Sequence, residues 1–209
     1  MKFKKLLIIA ILSAIAFTSC KDHEKEEKAE KEKMEMQRME AKKEADMKAN
    51  DMKMEMESNS VAAKAMATPE LSTMVNAMQS TQMADMMKTQ DGPFTVFAPT
   101  NDAFNKVPKA SLDNLMMPEN KADMKNVLNY HIVNGKITSA QLVQSIKDNN
   151  GTYKFKTVEG AELTAMMNGD KVVLKDENGK TATITQADID ASNGIIHIID
   201  AVLMKKAVK

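Results

Sequence analysis

Two groups of side chains are spaced in ways that chemistry could use. Met34, Met36 and Met39, and again Met52, Met54 and Met56, cluster thioethers, with the imidazole of His23 upstream. Thioethers are soft ligands suited to Cu(I), and they take up oxygen reversibly from oxidants. Spacing of i, i+2 places neighbours on different faces of a helix, so a multidentate site would require an unwound chain. The second group is ionisable. Tyr130 and His131 are adjacent, His197 sits between Ile196 and Ile198, and Asp188 and Asp190 alternate ahead of Asp200. Paired carboxylates suit acid/base work. Here they are expected to face solvent or to fix the turn Ser192-Asn193-Gly194. His131 is expected to bond a carbonyl or a side chain such as Asp102, and His197 to be satisfied within a strand. Two histidines without a third ligand in recognisable spacing do not define a metal site. No Gly-x-Ser-x-Gly elbow gathers Ser, His and Asp, so no catalytic residue, metal or cofactor is assigned. Cys20 is the lone cysteine of 209 residues, which excludes an internal disulfide.

The elements that must position these residues divide the chain into three. Lys2, Lys4 and Lys5 precede an apolar run from Leu6 to Phe17. That run is too short to span a bilayer as a helix and has the form of an export signal. Residues 20–68 are read as a tether, because Lys21 to Ser60 consists almost entirely of Lys, Glu, Asp, Met and Ala. Such a stretch cannot bury enough surface to form a packed domain. Its residues favour helix, and as one helix it would reach roughly 60 Å. Positive and negative side chains balance at 29 each, so no global field attracts nucleic acid.

From residue 69 to 206 the pattern is that of a folded domain. Leu71, Met74, Val75 and Met78 make a helical stripe, and Met83, Met86 and Met87 a second. Gly92-Pro93 breaks it. Phe94 to Ala98 reads as a buried strand, Pro99 ends its ladder, and Thr100, Asn101 or Asp102 caps a helix carrying Phe104 inward. A helix through Met124, Val127 and Leu128 runs into the strand Tyr130 to Val133. Thr138 or Ser139 caps the next helix. Beyond Gly151 the period changes to two, with turns at Glu159-Gly160, Asn168-Gly169 and Asn178-Gly179. Strands are expected at Tyr153–Thr157, Glu162–Met166, Lys171–Lys175, Thr181–Thr185, Ala187–Asp190 and Ile195–Leu203. Helices first and antiparallel strands last define an α+β fold. The early strand at Phe94 must pair with the late ones.

Three segments resemble the fasciclin-like adhesion domain: Gly92–Phe104 (GPFTVFAPTNDAF), Val127–Ser139 (VLNYHIVNGKITS) and Ala187–Leu203 (ADIDASNGIIHIIDAVL). The resemblance covers about residues 69 to 205. It implies a wedge or sandwich of about seven mainly antiparallel strands with packed helices, and a role in adhesion or ligand binding outside the cell. Tyr130 and His131 match the family's Tyr-His motif and are the ligand-binding candidates. Thr100, Asn101, Asp102 and His197 fall in the signature boxes as scaffold. Phe17-Thr18-Ser19-Cys20 is similar to the lipobox of bacterial lipoproteins, with Phe17 in place of the usual Leu. That resemblance implies lipidation at Cys20 after removal of residues 1–19. Lys21, in place of Asp, implies the outer membrane, facing periplasm or cell surface. The expected function is a non-catalytic module binding an extracellular or envelope protein or polysaccharide. Alternatives are a Met-rich envelope lipoprotein that handles Cu(I) or buffers oxidants, and a spacer without a partner.

Overall fold

The computed structural model describes residues 23–89 and 92–206. The export signal and the lipobox therefore lie outside the described residues. The described residues divide into two compact units, one ending at Asn50 and one beginning at Asp51.

The Lys/Glu/Met-rich segment is one helix, α1 (His23–Ser58). Ala, Met, Lys and Glu all have high helix propensity. Glu44 and Lys48 pair at 2.7 Å and Lys53 and Glu57 at 3.9 Å, each one turn apart. Residues 28–56 are exposed throughout.

The second unit carries a seven-stranded mixed sheet. Its strands are β1 (Phe94–Pro99), β2 (Ile132–Asn134), β3 (Thr152–Lys156), β4 (Glu162–Asn168), β5 (Lys171–Lys175), β6 (Thr181–Ala191) and β7 (Gly194–Ile199). They are ordered β2-β1-β7-β6-β5-β4-β3. The early strand does meet the late ones: β1 pairs parallel with β7 from Phe94↔Gly194 to Pro99↔Ile199. Every other pairing is antiparallel. Both members of the parallel pair are buried along their whole length, as expected of strands covered on both faces.

Three differences from the sequence expectation concern strand limits. The strand expected at Tyr130 to Val133 is β2, which begins only at Ile132, because Tyr130 still belongs to the preceding helix and His131 caps it. Thr181–Thr185 and Ala187–Asp190 are one strand, β6, whose register against β7 shifts between Ile184 and Gln186 and again before Ile189. Such bulges insert unpaired residues and locally reverse the in/out alternation, which is why the sequence read as two pieces. The last strand ends at Ile199. Residues 202–206 continue without strand pairing.

Helices cover the sheet. They are α2 (Val61–Met66), α3 (Ser72–Ser80), α4 (Met83–Thr89), α5 (Asn101–Asn105), α6 (Lys109–Leu115), α7 (Lys121–Tyr130) and α8 (Ser139–Asp148). One core cluster joins Leu71, Met74, Met83, Phe104, Met124 and Leu128 to Val96, Ala98, Ile196 and Ile198. A second gathers Phe97, Tyr130, Leu142, Ile146, Leu163, Leu174 and Ile199. Consecutive residues of β1 thus enter different cores, because strand side chains alternate between faces.

Packing begins before the tether boundary expected at residue 68. Val61, Ala62 and Ala65 of α2 are buried in the first cluster. Ser60 caps this helix by accepting from the Ala63 N–H at 3.3 Å. The loop before β7 fixes the junction: Ser192 N–H donates to Asn59 O at 2.9 Å. Asn193 Oδ1 accepts from Val61 N–H at 2.9 Å and its Nδ2 donates to Met87 O at 2.7 Å. An Ala-rich stretch of six residues offers too short an apolar stripe to be read as core from sequence.

Candidate functional site

Tyr130 ends α7 and His131 is the residue that caps it. Both side chains are buried, at 0% and 1% exposure. His131 Nδ1 donates to Val127 O at 2.8 Å, the carbonyl one turn back, and its Nε2 accepts from the Leu203 N–H at 3.1 Å. That pattern requires the neutral ring. Burial drives the His131 pKa down to about 4, against the opposing pull of the Val127 carbonyl and of Asp176. The Tyr130 hydroxyl donates to Glu162 O at 3.4 Å and accepts from Glu177 N–H at 3.3 Å. Burial is the main reason its pKa is pushed up to about 12, with the Asp176 and Glu177 charges adding to it. The expectation of direct ligand contact here meets a steric obstacle, since neither side chain reaches solvent. The residues on either side of the pair hold a turn through their backbone carbonyls. Val158 N–H donates to Ile132 O at 2.7 Å and Glu159 N–H to Asn129 O at 3.3 Å, fixing a turn on which Val158 is 40% exposed.

Of the three residues offered as a helix-start scaffold, one acts locally, one at a distance, and one faces solvent. Thr100 caps α5 through Ala103 N–H at 3.1 Å. Asn101 accepts from Thr73 N–H at 2.9 Å and donates to Pro69 O at 3.1 Å, so it caps α3 across 28 positions. Asp102 is exposed. The partners of His131 are Val127 and Leu203, and not Asp102.

His197 forms a second polar centre on the other side of β1. Its ring stacks on Phe97 with centroids 5.5 Å apart. Nε2 donates to Ile137 O at 2.8 Å, and Nδ1 accepts from Asp188 N–H at 3.2 Å. Burial lowers its pKa. Asp188 has φ 60°, and its carboxylate accepts from both the amide of Ser139 (2.9 Å) and the hydroxyl of Ser139. Burial works to raise the Asp188 pKa, but these bonds and the His197 and Lys136 charges bring it below the ordinary value. Asp190 pairs with Lys136, and Asp200 accepts from Thr183 N–H at 2.7 Å. Of the two expectations for Asp188 and Asp190, exposure to solvent holds, while the bonding expected to the Ser192-Asn193-Gly194 turn is corrected. They tie β6 to the segment 136–139, because the bulges in β6 turn them towards the start of α8. Ser, Asp and His do come together, but the Ser139 hydroxyl donates to Asp188 while both ring nitrogens of His197 are committed to backbone. That arrangement holds a loop and leaves the serine without a base.

Three polar residues that sequence reasoning passed over do as much positioning. Asp176 is buried and accepts three amides, from Asn178 (2.9 Å), Lys180 (2.8 Å) and Met204 (3.1 Å). Its signal was the Asp ahead of Asn178-Gly179, a turn-capping position. Thr95 is buried in β1, donating to Gly135 O at 2.6 Å and accepting from Ile137 N–H at 2.9 Å. Asn193 was visible only as a turn residue. Among the described residues no buried side-chain nitrogen or oxygen lacks a hydrogen-bond partner, and no three His, Cys, Asp or Glu converge as metal ligands.

The methionine triplets are taken apart by α1. At 100° per residue, Met34 and Met36 lie about 160° apart around the axis, as do Met52 and Met54. Only Met36 with Met39, and Met52 with Met56, share a face.

Parallel β1–β7 pairing next to the β2 edge of a mixed seven-stranded sheet, with a buried Tyr-His junction beside it, defines a fasciclin-type domain. The chain belongs to this family: the profile of the Fasciclin domain matches residues 69–205. Protein sll1483 of Synechocystis is 36% identical over 149 residues, covering 69% of this chain and 73% of that protein. Human periostin is 36% identical over 120 residues, 57% of this chain and 13% of periostin. The cell surface glycolipoprotein MPB83 of Mycobacterium bovis is 30% identical over 158 residues, 73% of this chain and 63% of its own. A FAS1 domain pair from the insect cell adhesion molecule fasciclin I superposes with a TM-score of 0.62 at 22% identity, covering 70% of this chain and 51% of that one. Among the described residues no helix is long and apolar enough to cross a membrane.

Proposed function

We propose that the chain is a non-catalytic binding module, lipid-anchored through Cys20 in the outer membrane, that recognises an extracellular or envelope protein or polysaccharide. Family membership carries this reading, together with the cell-surface and cell-adhesion roles named for its relatives. The binding surface is the turn at residues 157–160, where Val158 is presented on backbone bonded to the carbonyls of Asn129 and Ile132. Tyr130 and His131, buried between those two residues, then contribute as core of the junction and not by contact with the ligand. The test is affinity capture by the full chain from envelope and matrix extracts, with polysaccharide included. Capture lost in Val158→Glu supports the reading. Capture unchanged in that variant moves the surface elsewhere, and no capture at all sinks the binding role. Labelled palmitate incorporated by the parent and not by Cys20→Ser tests the anchor separately.

The Met-rich alternative keeps thioethers only in pairs, Met36 with Met39 and Met52 with Met56. Titrating Cu(I) into the full chain decides it, since pairs alone favour weak binding that a modest competitor removes.

A further inference from the structure

Exposed from residue 28 to 56, helix α1 lacks there the main source of helical stability in proteins, the burial of an apolar stripe. Polar overall, it carries one face of Met and Ala, interrupted by Arg38. Met34, Ala41, Ala45, Ala49, Met52 and Met56 fall on one face together with Arg38, and the methionines at its two ends are 67% (Met34), 61% (Met52) and 52% (Met56) exposed. The successive spacings are four, three, four, four, three and four. They repeat every eleven residues, a period near that of the helix itself, so the stripe runs almost straight along it. From Met34 to Met56 it extends for about 33 Å, or roughly six turns. The opposite face is unsuited to the same use, because Lys43 and Asn50 interrupt Met36, Met47 and Met54.

We propose that α1 pairs through this stripe with α1 of a second copy, antiparallel, about a two-fold axis at Ala45. The spacing reads the same from either end, and so do the residues, except that Arg38 answers Met52. Met34 meets Met56 of the second copy, Ala41 meets Ala49, and Ala45 meets itself. The small central residues let the two backbones approach closely. The flanks are complementary in this arrangement: Lys42 lies by Asp46 of the second copy and Glu35 by Lys53 on one side, and Glu44 by Lys48 on the other. A parallel pair would also match its flanks, so the stripe itself decides the direction. Parallel pairing in register stacks Arg38 on Arg38 across the axis. Antiparallel pairing lays each Arg38 stem over Met52 of the second copy, with its charge at the solvent edge, and opposes the two helix dipoles.

The arrangement predicts which single cysteines can join two copies, since a disulfide needs Cα atoms about 4.4–6.8 Å apart. Ala45→Cys, Ala41→Cys and Lys43→Cys are made in the full chain and oxidised with copper–phenanthroline in membranes of expressing cells. The parent chain, with Cys20 alone, gives the background. Disulfide-linked dimer is expected several-fold above background for Ala45→Cys, and at background for Lys43→Cys on the opposite face and for Ala41→Cys, whose partner position is Ala49. A double Ala41→Cys, Ala49→Cys chain should cross-link. Lys42→Glu should weaken the Ala45→Cys cross-link, and adding Asp46→Lys should restore it. Equal yields at positions 41, 43 and 45, strong self-linking at both 41 and 45, or no yield above the parent at 45 overturns the proposal.

Discussion

The backbone N–H of Leu203 donates to Nε2 of His131 across 72 positions of sequence, at 3.1 Å. One imidazole thereby ties the segment that follows β7 to the junction between α7 and β2. Because Nδ1 is already spent on Val127 O, protonating the ring would force an N–H against the Leu203 amide. The bond exists only in the neutral state.

Acid should therefore unfold this domain earlier than its carboxylates alone would require. The folded pKa of about 4 lies below the ordinary histidine value of 6.5, so protons bind the unfolded chain more tightly. The His131 contribution is intact above pH 6.5, declines between pH 6.5 and 4, and below that has cost on the order of 3 kcal/mol. His197, also lowered, acts in the same direction. Urea melts across this range check it, and His131→Gln should flatten the pH dependence. A slope in the variant equal to the parent's would refute the assignment.

Asp176→Ala should destabilise the domain by about 3 kcal/mol, because three amides lose a shared acceptor in a buried place. Asp176→Asn, which keeps one oxygen, should cost less. Chemical denaturation of both variants at pH 7 measures the order.

Two glycines at the start of the parallel pair should tolerate nothing larger. A Cβ on Gly92 would lie 2.0 Å from Asn193 O, and one on Gly194 would lie 2.2 Å from Phe94 O. Both contacts are backbone, so alanine at either position should lower the melting temperature sharply. Gly169 has φ +59° and open space around it, so Gly169→Ala should cost only about 1 kcal/mol. A smaller loss at Gly92 or Gly194 than at Gly169 would contradict this packing.

Asp188 combines a left-handed backbone with a carboxylate that holds Ser139. Asp188→Gly relieves the first and loses the second, while Asp188→Ala loses the carboxylate and keeps the strain. Thermal melts should place the glycine variant above the alanine variant by about 1 kcal/mol.

By itself the sequence determined the local elements and the family. Alternation at Phe94–Ala98, the Asn-Gly turns and the caps at Thr100 and Thr138 are near-neighbour effects, decided by side-chain direction and backbone preference. The three signature segments were legible for the same reason. Tertiary structure alone decided what those residues touch. Asn101 caps a helix 28 positions away, the bulges of β6 point Asp188 and Asp190 at the segment 136–139 rather than at the adjacent turn, and α2 joins a core that its composition did not announce. It also decided that Tyr130 and His131 are inside, since burial depends on neighbours brought in from Glu162, Glu177 and Leu203. Periodicity marks a residue as facing inward or outward on its own element; only the packing of other elements over it determines whether water reaches it.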